Sequence, residues 1–310
     1  MLGLLFGGMF LTRVISDIMR KKNSNVFSVN GITGSLFYVF ETSLFALFYF
    51  WALNGFKLSF NFNVLVYGLL YGLIVITTLV PAIFVYKYAT FSFVTFVSGS
   101  ASLILSLVAG KLLFNEVISS DKLLRVALML VATVVIFYGN QSKAKAANEE
   151  QRNSENGKKD LMIACGLILF SALLGVASTV MLKLYANDPN VTDQNSFFFV
   201  TNIFSALLVL PALPFTMKRD KVKVSDLVNM VKSKKTVYSA VTTINSNINS
   251  IIHIAILGLM DVSVFTPLSS ALSFAAVAIA TPIIGEKLNR YTVISTVIAI
   301  LSVILPFLLF

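Results

Sequence analysis

The sequence predicts an all-α, polytopic membrane protein with ten transmembrane helices arranged as two inverted five-helix repeats. The chain is 57% hydrophobic and only 12% charged, whereas roughly a quarter of the residues in a typical soluble domain are charged. Its apolar stretches are about twenty residues long, which is the length a helix needs to cross the hydrocarbon core of a bilayer. A polar interruption that contains Glu116 also recurs near the end of the chain, around Glu286.

The first five apolar segments are predicted to be helices because backbone groups in lipid must be hydrogen-bonded within their own segment. These spans are Leu2–Arg20, Val29–Leu53, Phe62–Tyr86, Thr90–Leu113 and Asp121–Gly139. The glycine pairs Gly3–Gly7 and Gly68–Gly72 predict close contact with a neighbouring helix. The first span is short and contains Arg13 and Asp17, so whether it is complete stays open at this point. No basic segment precedes it, so we expect no signal peptide.

A polar segment at 140–160 (NQSKAKAANEEQRNSENGKKD) mixes both charge signs and contains no aromatic residue, which predicts a solvated linker. It divides the chain into a first repeat, residues 1–139, and a second repeat, residues 161–310. The spans of the second repeat are Leu161–Tyr185, Ser196–Thr216, Thr236–Gly258, Val262–Ile284 and Asn289–Phe310. The basic segment Met217–Lys235 between two of them is either a plain cytoplasmic loop or a segment that lies along an anionic leaflet.

The two halves align when Glu116 is placed over Glu286. FVSGSASLILSLVAGKLLFNEVIS then falls on TPLSSALSFAAVAIATPIIGEKLN without a gap, and each segment contains a patch of small residues. Such internal similarity indicates a repeat. Because five spans is an odd number, the second repeat enters the membrane from the opposite side, and transporters of this design bind substrate near the bilayer midplane.

This pattern, with the turns NEVIS and GEKLN each followed by a final apolar helix, resembles the drug/metabolite transporter superfamily. Within it, the chain is most similar to the ten-helix EamA-like group. The resemblance covers essentially the whole chain and implies a secondary transporter, commonly an exporter of metabolites, amino acids or drugs. It also implies a central cavity lined by the first four helices of each repeat, with the fifth helix packed outside.

The net charge of +10 is explained by loops that flank the membrane rather than by nucleic-acid binding. Most of the 24 Lys and Arg residues lie in loops after odd-numbered spans, which by the positive-inside rule places both termini outside the cell. The resemblance implies the opposite arrangement, with both termini inside. The orientation therefore stays open at this point.

Glu41 is the most deeply placed acid, and Arg13 in the neighbouring span is its candidate partner. A charge in mid-membrane costs from about 2.5 to more than 10 kcal/mol, so it needs a partner or a wet cavity. One interpretation is that Glu41 binds a cationic group or a coupling proton, with Arg13 tuning its ionisation. The other is a structural ion pair, in which Arg13 pairs with Glu41 or with Asp17.

A second set of candidate substrate-binding residues lies in the later spans. Thr242, Asn245, Asn249 and His253 recur at intervals of three and four residues, which places them on one stripe of the eighth span. Such a stripe either lines a cavity or hydrogen-bonds to neighbouring helices, and His253 is either a proton carrier or a satisfied hydrogen-bond donor. The remaining candidates are Thr78 and Asn202.

Glu116 and Glu286 are predicted to be structural turn residues. A carboxylate near the N-terminus of the following helix is favoured by the helix dipole. The competing interpretation makes the two glutamates gates or proton sites.

We expect a transporter rather than an enzyme, because catalytic and phosphate-binding motifs such as GxSxG, HExxH and GxxxxGK[ST] are missing from the sequence. We likewise expect no cofactor and no metal. The expected partners are a small-molecule substrate and the lipid bilayer of a plasma membrane, while a coupling proton and a homodimer stay open. One alternative is a carrier for a nucleotide-sugar or a lipid-linked head group. Another is a membrane scaffold or sensor that does not transport.

Overall fold

The computed structural model describes residues 2–27, 30–89, 91–147, 155–190, 193–232, 236–285 and 290–309. Across these residues the chain forms twelve α-helices, one short 3-10 turn and no β-strand. The helices are α1 (Leu2–Phe27), α2 (Gly31–Leu53), α3 (Phe62–Phe84), α4 (Phe91–Phe114), α5 (Ser120–Ala147), α6 (Glu155–Asn187), α7 (Gln194–Val209), α8 (Ala212–Asp220), α9 (Val224–Lys232), α10 (Thr236–Leu257), α11 (Val262–Ile283) and α12 (Arg290–Leu309).

Among the described residues, eight helices are long and apolar enough to cross a membrane, namely α1 to α6, α10 and α11. The pair α7 and α8 meets the same criteria only as one span bent by 47°. The apolar stretch Arg290–Leu305 of α12 is shorter. The all-α, multi-pass membrane class is therefore confirmed, while the count of ten spans and the inverted relation of the halves stay predictions.

The seventh predicted span, Ser196–Thr216, was expected to be a single helix and is instead interrupted. Pro211 precedes the first residue of α8. Because proline has no backbone N–H and restricts the residue before it, it ends one helix and starts another.

Two other predicted boundaries differ from the structure. α1 continues past the predicted end at Arg20 to Phe27, because Lys21–Asn25 contains neither Gly nor Pro. The linker predicted at 140–160 is partly helical, because α5 extends to Ala147 and α6 begins at Glu155. Ala, Lys and Glu favour helix, and residues 148–154 lie outside the described residues.

The helices form two compact units. The first unit comprises Met1–Ile18, Val85–Val176 and Leu259–Phe310, and the second comprises Met19–Phe84 and Ala177–Gly258. Each unit therefore combines corresponding parts of both sequence halves.

The first unit is built around α4, α5, α11 and α12. Phe96 of α4 stacks on Phe274 of α11 with ring centroids 4.1 Å apart. Gly99 allows this approach, because a Cβ there would lie 2.6 Å from Phe274 Cε1.

In the second unit, α2 and α3 pack against α7. Gly68 and Gly72 let α3 approach α7 closely, because a Cβ on Gly68 would lie 2.5 Å from Val200 Cγ1 and one on Gly72 would lie 3.0 Å from Thr201 O. The predicted close contact is confirmed for this pair. For Gly3 and Gly7 it is wrong among the described residues, because nothing lies within 4 Å of a Cβ there.

Candidate functional site

The predicted substrate-binding residues divide between the two units. Arg13 belongs to the first unit, where its Nη2 donates a hydrogen bond to Ser269 Oγ at 3.2 Å. The other six belong to the second unit: Glu41, Thr78, Asn202, Asn245, Asn249 and His253. A pairing of Arg13 with Glu41 stays a prediction.

Glu41 lies near the middle of α2 and is only 7% exposed. Its carboxylate lies beside the side chains of Ser239 and Thr236 in the first turns of α10. Among the described residues, Glu41 Oε2 has no close hydrogen-bond partner, and the Ser239 hydroxyl beside the carboxyl group is fully buried. A buried polar group left unpaired costs about 1–3 kcal/mol, and more when it is charged.

A buried hydrogen-bond network lies next to Glu41. Asn23 of α1 donates from Nδ2 to Thr242 Oγ1 at 2.8 Å and to the Tyr38 hydroxyl at 3.3 Å. All three side chains are at most 7% exposed. Tyr38 precedes Glu41 by one helical turn on α2, so the two face the same side.

We call these six residues the polar cluster: Asn23, Tyr38, Glu41, Thr236, Ser239 and Thr242. Two of its buried oxygens, Asn23 Oδ1 and Glu41 Oε2, have no close hydrogen-bond partner among the described residues, whereas Ser239 interacts with the Glu41 carboxyl group. Both oxygens can accept a hydrogen bond. The polar cluster therefore has unused capacity to hold a donor such as a proton or an ammonium group.

Arg20 of α1 brings a positive charge next to the polar cluster. Arg20 lies close enough to the Tyr38 hydroxyl to interact with it electrostatically. Lys22 Nζ lies 5.2 Å from the centre of the Tyr238 ring, in a cation–π arrangement. Both signs of charge therefore occur at this site.

Sequence reasoning missed Asn23, Ser239 and Thr236, and it counted Arg20 and Lys22 as loop charges. Asn23 was missed because the predicted end of the first span at Arg20 removed it from any helix. Ser239 and Thr236 lie three and six residues before Thr242 in the predicted eighth span, and the stripe was not extended to them. A signal was present, because no Gly or Pro separates Arg20 from Phe27.

The predicted stripe on α10 is only partly buried. Thr242 and Asn245 are each 7% exposed, whereas Asn249 and His253 are half-buried. Asn249 Nδ2 and His253 Nε2 lie 3.5 Å apart. Thr242 therefore belongs to the polar cluster. Cavity lining by Asn245, Asn249 and His253 stays a prediction.

The side chains of Thr78 and Asn202 donate hydrogen bonds to backbone carbonyl groups of their own helices. Thr78 Oγ1 donates to Ile74 O at 2.7 Å, and Asn202 Nδ2 donates to Phe198 O at 2.7 Å. These bonds satisfy one donor of each side chain within the helix. A substrate contact by either residue stays a prediction.

Glu116 caps a helix, but not the one predicted. Its Oε1 accepts from Val262 N at 2.8 Å and its Oε2 accepts from Ser263 N at 2.9 Å. These groups are the first N–H donors of α11, whereas the prediction named the helix that follows Glu116 in sequence. The reason is packing, because α4 lies against α11. Glu286 lies outside the described residues.

Asp193 organises the entrance to α7 and was not singled out from the sequence. Its Oδ1 accepts from Asn195 N and Ser196 N, and its Oδ2 accepts from Asn54 Nδ2 at 2.8 Å. Burial alone would raise the pKa of Asp193, but hydrogen bonds from Ser196 and Asn54 outweigh it and hold that pKa below its usual value. An Asp directly before an apolar helical segment is the signal that predicts such a cap.

An open groove of about 480 Å³ lies in the first unit and is mainly apolar. Phe93, Val97, Phe137 and Cys165 are among its lining residues. It contains none of the predicted site residues, so the polar cluster remains the stronger candidate site.

No family model matches the chain, and no curated protein matches it. Chains of known structure do resemble it. One of them, described only as "Crystal structure of protein", is 15% identical, with a TM-score of 0.61 over 96% of both chains. At that identity the likeness shows the fold alone. Fold and composition together define the class as a multi-pass, all-α membrane protein.

Proposed function

We propose that the chain is a secondary active transporter of the EamA-like, drug/metabolite transporter type. It moves a small organic metabolite, amino acid or drug across a plasma membrane by alternating access, in the direction of export. In this proposal the protein catalyses no chemical reaction.

The observation that carries the proposal is the burial of Glu41 in the middle of an apolar span. An ionisable group at this depth is costly and is a marker of substrate or proton pathways in membrane proteins. Glu41 is 7% exposed, and its Oε2 has no close hydrogen-bond partner among the described residues.

The composition of the two units supports a repeat architecture. The second unit takes the end of α1 with α2 and α3 from one half, and the end of α6 with α7 and α10 from the other. Two related five-helix repeats would contribute corresponding helices in this way, and inverted repeats place the substrate site near the midplane.

Charge at the polar cluster favours a zwitterionic substrate. Glu41 and Asn23 Oδ1 match an ammonium group, while Arg20, close to Tyr38, matches a carboxylate. The phosphates of a nucleotide-sugar would be repelled by Glu41, so this carrier type is less well supported. Amino acids are therefore the first substrates to test.

The test is flux in proteoliposomes against a panel of amino acids, amines and nucleotide-sugars, with and without a pH gradient. We expect saturable flux of at least one zwitterion and a large loss in Glu41→Gln. Thr77→Val is the control, because its exposed hydroxyl donates to backbone carbonyls of its own helix. A folded protein that moves no solute in the panel would favour the scaffold alternative.

A further inference from the structure

The short helix α9 has two different apolar faces. Leu227 is 7% exposed, and Met230 packs against Phe27 and Tyr38 of the second unit. Met230 O also accepts a hydrogen bond from Thr236 Oγ1 at 3.2 Å. These contacts fix which side of α9 faces its own unit.

The other apolar face of α9 is exposed and lies next to the buried one. Val224, Val228 and Val231 are 66%, 42% and 46% exposed. They are spaced at intervals of four and three residues, so they form one stripe along the helix. Ser225, Asp226 and Asn229 occupy the opposite, polar side.

Exposed basic residues lie within α9 and in the chain just before it. They are Lys218, Arg219, Lys221, Lys223 and Lys232. Two acids oppose them: Asp220 accepts from Thr33 and pairs with Arg219 at 3.0 Å, and Asp226 accepts a hydrogen bond from Lys223 N. The surface is therefore positive beside an exposed apolar stripe.

In the chain, α9 lies close to a helix that can span the membrane. Only residues 233–235 separate it from α10, which is long and apolar enough to cross a membrane. Three residues span about 10 Å at most.

We propose that α9 is a membrane-surface helix that binds anionic lipid. Its valine stripe enters the acyl region, while Lys218 to Lys232 bind the headgroups. An amphipathic helix with basic residues beside an apolar face binds anionic membranes in this way, and each basic residue strengthens the attraction roughly fivefold.

Fluorescence of a site-specific label tests the proposal without any transport measurement. Cys165, the single cysteine of the chain, is first replaced by Ser. An environment-sensitive dye is then attached to Val228→Cys or, as the matched control, to Asn229→Cys. Phosphatidylglycerol or phosphatidylcholine is titrated into the protein in neutral detergent micelles.

We expect phosphatidylglycerol to blue-shift the dye at position 228, with little change at position 229 and a weaker response to phosphatidylcholine. Replacing Lys221, Lys223 and Lys232 by Gln should raise the half-maximal lipid concentration on the order of a hundredfold. Equal shifts with both lipids, equal shifts at both positions or an unaffected Gln variant would overturn the proposal. A dye at position 228 that reports a water-exposed environment with both lipids would also overturn the proposal. An acidic protein would then be the partner to test.

Discussion

The cap that Glu116 places on α11 yields a quantitative prediction. Val262 and Ser263 are the first two residues of α11, so their N–H groups have no partner within the helix. The next two N–H groups, of Val264 and Phe265, bond to Asp261 O. Glu116 therefore completes the hydrogen bonding of the first turn.

The expected cost of losing this cap follows from its two bonds. Hydrogen bonds to a charged group contribute about 1.5–3 kcal/mol each, and Glu116 is 7% exposed. Glu116→Ala should therefore destabilise the protein by about 3–6 kcal/mol. Glu116→Gln keeps one acceptor oxygen and should cost roughly half as much.

A substitution at Gly110 extends this experiment to a double-mutant cycle with Glu116. A Cβ on Gly110 would lie 2.5 Å from Glu116 Oε2, so Gly110→Ala must displace the carboxylate from its two N–H donors. Once Glu116 has been replaced by Ala, the same methyl group has room. We therefore expect the two substitutions to couple by about 1–3 kcal/mol.

Unfolding of the four proteins in mixed micelles, followed by helical circular dichroism, measures this cycle. The prediction is that Gly110→Ala costs much less in the Glu116→Ala background than in the natural chain. Additive costs, or a Glu116→Ala protein as stable as the natural one, would refute the assignment of Glu116 as the cap of α11.

Three further predictions concern the second unit. Gly68→Ala should lower stability by about 1–3 kcal/mol, because the added Cβ would collide with Val200. Gly166→Ala should not lower it, because nothing lies within 4 Å of a Cβ there. Equal effects of the two substitutions in thermal unfolding would contradict this prediction. Folding lowers the pKa of Asp193, so the natural chain should have a higher Tm than Asp193→Asn at neutral pH. This Tm difference should shrink as the pH falls through the lowered pKa, and a Tm difference that does not change with pH would contradict the prediction. Asn23→Leu should reduce flux in proteoliposomes while leaving the helical content unchanged, and undiminished flux would remove Asn23 from the site.

The features that sequence could predict are those set by local pattern. Apolar length located the membrane helices, and the spacing of Gly68 and Gly72 located a close helix contact that the structure confirms. Pro211 explains why one predicted span is two helices, and its effect was available from the sequence as well.

The features that sequence could not predict depend on partners distant in the chain. Glu116 was correctly interpreted as a helix cap, but α11 is its partner, and nothing local to Glu116 indicates that choice. Asn23 bonds to Thr242, which is 219 positions away. The polar cluster emerges only when α1, α2 and α10 are brought together.

The most direct test of the account is the dependence of transport on Glu41. Flux of a transported solute in proteoliposomes should respond to an imposed pH gradient in the natural chain. In Glu41→Gln, which cannot gain or lose the carboxyl proton, that response should disappear. Flux and a pH profile identical to those of the natural chain would show that Glu41 does not carry the coupling proton, and they would contradict the central role assigned to the polar cluster.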